Sequence, residues 1–288
     1  MRVCWLVPLL AACARGSAGS SDASAPDDGN PTGDGMLDDA AEPDAPPPDA
    51  SVMPSSHLLL TEVALTPYEK QFVEIYNPGA QAVALANYYV TDVPTYFRLP
   101  AGSHTIPAGD FIVRFPPSAT IAAGAVITVA LATASQFNSV YGSTPTYAMT
   151  SGTLTVTNNG MPDLANGGEM VALFYWDGAS DLVTDVDMVI VGALGSSESY
   201  LNKSNVALDG PDAGAATTAY KMEAATMPPP STTPGVNVST KRVKYESGFE
   251  VRNGTGNGIA GDDETSENIA QTWDTMYTAP TPGTITIQ

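Results

Sequence analysis

Carboxylates are the groups this chain supplies most freely for chemistry: 31 Asp and Glu stand against 11 Lys and Arg, for a formal net charge of −20. Glu62 and Glu74 fall in two consecutive apolar runs that should lie on neighbouring strands. Two close carboxylates can bind a metal or divide acid–base work, because their environments split their pKa values. The plainer expectation is a polar pair that braces strand ends by accepting backbone or tyrosine hydrogen bonds. Asp181, Asp185 and Asp187 form an acidic edge, and Gly261-Asp262-Asp263-Glu264 with Glu267 forms an acidic loop. Hard oxygen ligands on loops suit Ca²⁺. Asp262, Asp263 and Glu264 are therefore the candidate metal ligands, although neither segment has EF-hand spacing.

The basic residues concentrate in Lys241, Arg242, Lys244 and Arg252. Such a cluster can read phosphate, anionic glycan or nucleic acid, but the net charge of −20 opposes polyanions at long range. Pairing with Glu246, Glu250 and Asp262 is the expectation, and nucleic acid is not an expected partner. Tyr88, Tyr89, Tyr96 and Phe97 can form a sugar-stacking platform, while strand aromatics more often belong to a core. Hydrolase chemistry has little to work with. The two histidines are His57 and His104, and no G-x-S-x-G, H-E-x-x-H or G-x-x-x-x-G-K-[ST] pattern occurs. A Ser-His-Asp site around His104 stays open, because triads are recognised in space.

The elements that position these groups begin with an export signal. Arg2 and the terminal amine precede the apolar run Val3–Leu10, and Ala11-Ala12-Cys13 follows. This is a charged region, an apolar stretch and a small-residue cleavage site, too short to span a membrane before Arg15. Leu10-Ala11-Ala12-Cys13 resembles the lipobox of bacterial lipoproteins. The resemblance implies a signal peptide over 1–12 and a lipid on Cys13, which becomes the first residue of the mature chain and anchors it in the membrane. Ala14 in place of Asp implies sorting to the outer membrane. Cys4 and Cys13 are the sequence's two cysteines, so the folded region has no thiol for a disulfide, a zinc site or a nucleophile.

From 13 to 56 the composition is Ser, Ala, Gly, Pro and Asp, with nine acidic residues against Arg15 and no aromatic. Such a stretch cannot bury enough apolar surface to offset ordering entropy, so a disordered stalk is expected. Its reach is up to roughly 130 Å if wholly polyproline-like.

From His57 onward, short runs rich in Val, Ile, Thr, Tyr and Phe alternate with Gly, Pro and Asn clusters. The expected strands are 58–65, 71–77, 83–91, 95–99, 110–115, 125–131, 153–157, 169–176 and 182–191. Thr153-Leu154-Thr155-Val156-Thr157 alternates strictly, which gives one buried and one wet face. Helical turns are expected at 134–141 and 216–224. The whole predicts an all-β chain, a two-sheet antiparallel sandwich.

Leu60-Thr61-Glu62-Val63, Phe72-Val73-Glu74-Ile75-Tyr76-Asn77-Pro78 and Val83-Ala84-Leu85-Ala86-Asn87-Tyr88-Tyr89-Val90-Thr91-Asp92 together resemble the lamin-tail domain family. Ile106-Pro107-Ala108-Gly109, the stretch 164–173, and Trp273 with Thr281-Pro282-Gly283 are similar to its later segments. Ala84 and Asn87-Tyr88 depart from the pattern, and 196–255 reads as a long insertion in a domain spanning 57–288. The resemblance implies an immunoglobulin-like sandwich, in bacteria usually an accessory surface module. A fold does not assign a function. The leading expectation is a non-enzymatic interaction or structural module of the envelope, contacting polysaccharide or a surface protein and needing no cofactor beyond a possible Ca²⁺. A calcium-stabilised hydrolase accessory domain, a weak hydrolase and a passive outer-membrane lipoprotein are the alternatives.

Overall fold

The computed structural model describes residues 57–192, 203–222, 235–245, 256–259, 264, 269–274 and 276–287. The expected signal peptide and stalk lie outside them.

The first sheet is built from β1 (Leu59–Ala64), β2 (Phe72–Tyr76), β7 (Val126–Ala130), β8 (Tyr147–Ala148) and β14 (Ser239–Lys241), in the order β14-β1-β2-β7-β8. The second runs β11-β10-β4-β5-β9, from β4 (Tyr88–Thr91), β5 (Phe111–Arg114), β9 (Thr155–Asn158), β10 (Gly168–Tyr175) and β11 (Thr184–Gly192). Pairing within these sheets is antiparallel except between β7 and β8. Two short ladders complete the set: β3 (Val83–Ala84) with β6 (Thr120–Ile121), and β12 (Ala207–Leu208) with β13 (Thr218–Ala219).

Alternation decides what each strand buries. Val63, Val73 and Val129 stand abreast across the first sheet, and Leu173, Val90 and Val113 across the second. All six belong to one apolar cluster that joins the two sheets. The other face of the first sheet is covered by α1 (Ala134–Tyr141), where Phe72 meets Phe137 and Tyr141 edge-on at 5.8 and 5.6 Å. Each such aromatic pair contributes about 0.5–1.5 kcal/mol beyond its buried area. Thr133 and Gln136 cap the start of α1 reciprocally, and Gly142 ends it in the left-handed region at φ 69°. Gly192 has a harder constraint: a Cβ there would lie 2.6 Å from Gly167 O.

Three local expectations are corrected. The run 83–91 is two strands, because the chain turns at Leu85, whose carbonyl accepts Tyr88 N, and passes from the β3–β6 ladder to the second sheet. The run 95–99 is a 3₁₀ turn over Tyr96–Arg98, with Arg98 N bonded to Thr95 O and Leu99 N to Tyr96 O. Pro94 and Pro100 flank it and lack the N–H a ladder needs. Thr218–Ala219 is a strand against Ala207–Leu208, where a helical turn was expected. The stretch read as an insertion also supplies β14, the edge strand beside β1.

Candidate functional site: a carboxylate clamp and an aromatic cleft

Glu62 and Glu74 face each other across β1 and β2, and both are buried. Glu62 accepts Ser239 Oγ and, at 2.9 Å, the backbone N–H of Thr281. Glu74 accepts Thr61 Oγ1 at 2.9 Å and the N–H of Gly283. Burial pushes both carboxyls up. For Glu74 it outweighs the Gly283 and Thr61 hydrogen bonds, the Glu62 charge adds to it, and the group reaches about 7. The Lys241 ammonium is 3.9 Å from Glu62 and donates to Ala279 O at 2.7 Å. The pair therefore clamps the terminal Thr281–Gly283 segment. It acts as a brace of the plainer kind, with backbone N–H and hydroxyl donors in place of tyrosines.

Asp185 and Asp187 are not an exposed acidic edge. Asp185 lies 2.8 Å from Lys203 Nζ and accepts the Tyr96 hydroxyl at 2.6 Å, all buried. Asp187 receives Leu60 N and the Arg242 guanidinium, whose Nε bonds Leu60 O at 2.8 Å and whose Cζ sits 5.0 Å over the Trp273 ring. The expected pairing of the basic cluster with acids near it in sequence is thus corrected for Arg242, which pairs with β11. Glu246, Glu250, Arg252 and Asp262 lie outside the described residues. Buried charges demand a hydrogen-bonded partner, and topology brings one from far along the chain.

Of the calcium candidates, Asp262 and Asp263 lie outside the described residues, and Glu264 is buried at 2% exposure. Asp181, Asp209 and Asp212 bring carboxylate oxygens within 4.8 Å of one another. Asp181 there accepts Gly210 N at 2.8 Å and Thr218 Oγ1, and Asp212 accepts Gly214 N, so Asp181 ties its loop to two later segments and Asp212 braces its own turn. Cys13 also lies outside the described residues.

The open face of the second sheet holds a cleft of about 190 Å³, lined by Tyr89, Leu99, His104, Ile112, Arg114, Thr155, Thr157 and Trp176. Strand register builds it. Phe174, Tyr89, Arg114 and Thr155 form one cross-strand row, and Ala172, Thr91, Ile112 and Thr157 the next. Tyr89 stacks on Phe174 at 4.9 Å and 8°, with Trp176 tilted beside it at 6.4 Å. The Trp176 indole N–H donates to Ser180 O at 2.9 Å, which fixes the ring. Arg114 lies over Tyr89 at 5.7 Å, its Nε bonded to Ala86 O and its Nη2 to Asn87 Oδ1.

The half-buried His104 closes one side, and burial pushes its pKa down, so the imidazole is neutral at pH 7. No serine, cysteine or carboxylate lines the cleft among the described residues. Of the four aromatics considered as a platform, Tyr89 lines the cleft but is itself buried at 6% exposure, with Phe174 and Arg114 against its ring. Tyr96 and Phe97 are core, and Tyr88 packs edge-on to Tyr175. Trp176, Arg114, Thr155 and Thr157 escaped sequence reasoning. The strict alternation of 153–157 did mark Thr155 and Thr157 as wet, but nothing local joins them to Trp176.

The family motifs acquire physical roles in this frame. Asn77 of the Asn-Pro-Gly turn is buried, accepts Gly79 N, and donates to Gln81 O, Ile121 O and Ala122 O. Asp92 accepts Phe111 N at 2.7 Å and ties β4 to β5. No curated protein matches the chain. The family model described as Lamin Tail Domain matches residues 51–189. Its immunoglobulin-like β architecture is the fold found here, and residues 51–189 of this chain are a lamin tail domain.

Proposed function

We propose that the chain is a lipid-anchored, non-enzymatic interaction module displayed on the bacterial envelope, at the outer membrane. Cys13 carries the anchor, residues 14–56 serve as the spacer, and the β-sandwich presents its cleft to a partner, polysaccharide or surface protein. The observation that supports an interaction role is the cleft: rigid aromatic walls and a few polar groups, the usual make-up of a recognition pocket. Among the described residues no serine, cysteine or carboxylate stands with His104 in the cleft lining to form an acyl-transfer triad. The reading needs no cofactor.

The test is a photoreactive side chain at Thr157 in the intact lipoprotein on living cells. Reproducible capture of a partner supports the reading. A protein that sits at the surface and captures nothing is a passive envelope component, and the proposal fails.

A further inference from the structure

We infer that the cleft is a saccharide site, seating one sugar ring against the partly exposed Trp176, with the buried Tyr89 backing the wall; this rests on the interaction reading above. Its size comes first. About 190 Å³ is below the roughly 300–1,000 Å³ of pockets that engulf drug-sized ligands, so it takes one ring with the remainder of the ligand outside.

Its polarity narrows the class. The Thr155 and Thr157 side chains are exposed on the wet face of β9, and neither hydroxyl has a hydrogen-bond partner among the described residues. His104 Nδ1 is buried and also has none. Arg114 spends two N–H groups on Ala86 and Asn87 and has others to offer. An apolar ligand would leave these groups unsatisfied, at a cost for each. A sugar ring offers an apolar C–H face to the indole and hydroxyls around its edge, which is the complement of this lining.

Charge excludes the polyanions. Arg114 is the charged residue among the lining side chains, and a chain of net charge −20 repels nucleic acid and polyphosphate.

The pre-set geometry supports the same class. Phe174 stacks against Tyr89 from the neighbouring strand and Ser180 fixes Trp176, so little side-chain freedom is lost on binding.

The experiment is a titration of the purified full chain with soluble cello-, xylo-, chito- and malto-oligosaccharides up to about 10 mM, a range that catches weak binding. Intrinsic fluorescence is the readout. Trp273 is 2% exposed, and loss of the sugar-induced change in Trp176→Ala assigns it to Trp176 rather than to Trp5. Saturable binding by at least one saccharide is expected. Trp176→Ala should weaken it about tenfold or more, as for an aromatic anchor in a small site. Isothermal calorimetry reads the variants, and Thr157→Tyr, bulky at an exposed strand position that tolerates it, should block the site with the aromatic wall intact. If Trp176→Ala fails to fold, Thr157→Tyr decides.

Absence of binding across the panel overturns the inference, as does binding that neither folded variant weakens. Capture of a protein from Thr157 with no saccharide bound would sink the sugar site and leave the interaction role standing. With neither partner, both fall.

Discussion

The Arg242 guanidinium lies 2.7 Å from Asp187 Oδ1, and neither side chain has any solvent exposure. The pair joins two segments 55 positions apart and holds Leu60 of the first sheet at both backbone groups, Arg242 Nε donating to Leu60 O and Asp187 Oδ2 accepting Leu60 N. It stitches β11 to the chain that follows the family match, and its energetics can be tested directly.

Removing one partner strands the other. Arg242→Ala or Asp187→Ala should cost about 3–5 kcal/mol, because a buried charge loses its counter-ion. The double replacement Arg242→Met with Asp187→Leu should recover much of that loss. Urea denaturation of the four proteins checks it; single variants within about 1 kcal/mol of the parent would show the pair to be solvated.

A chain that ends at Gly192 should not fold cooperatively, although it contains the whole matched region. It would lack Lys203 and Arg242, the partners of buried Asp185 and Asp187, and also β14. It would lose the Thr281 and Gly283 donors that cover Glu62 and Glu74 as well. A broad, non-cooperative thermal melt or ready proteolysis is expected; a sharp melt like that of the full chain would contradict it.

Stability should fall as pH rises from 5 to 8. Glu74 is held at about 7 in the fold against 4.5 unfolded, and Glu62 shifts the same way, both chiefly by burial. A carboxyl raised in the folded state binds its proton more tightly there. Its contribution is therefore full below the unfolded value and lost as pH passes about 7. Asp92, raised by burial and then by Glu169, adds in the same sense. Glu74→Gln, which mimics the protonated form, should flatten part of the slope. Melting temperatures of both proteins at pH 5 and 8 decide the matter, and parallel slopes would exclude Glu74 as a source.

Cys13→Ser should move the protein from the membrane fraction to the soluble one, since the proposed anchor depends on acyl chains that a hydroxyl at that position does not accept. Fractionation with labelled fatty acid reads both location and lipid. Retention on membranes after the change would remove Cys13 from the mechanism.

Local patterns were legible wherever a single segment carried the physics. Alternation and β-branched residues placed β1, β2, β5, β7, β10 and β11, and the 134–141 segment was recognisable as a helical turn. The failures at 83–91 and 95–99 share a cause: apolar composition says that a segment is buried and leaves its hydrogen-bond partners open. Tyr96 and Phe97 are buried in a 3₁₀ turn as completely as in a strand.

The sequence by itself determined an all-β sandwich, the adjacency of Glu62 and Glu74, and the wet face of 153–157, because strand period and turn chemistry act over a few residues. The tertiary structure alone decided that Asp187 meets Arg242, that Gly283 returns to Glu74, and that Tyr89, Arg114, Thr155 and Trp176 share one cleft. Those relations depend on register and on which strands become neighbours, and that choice minimises buried unpaired charge and open core over the whole chain.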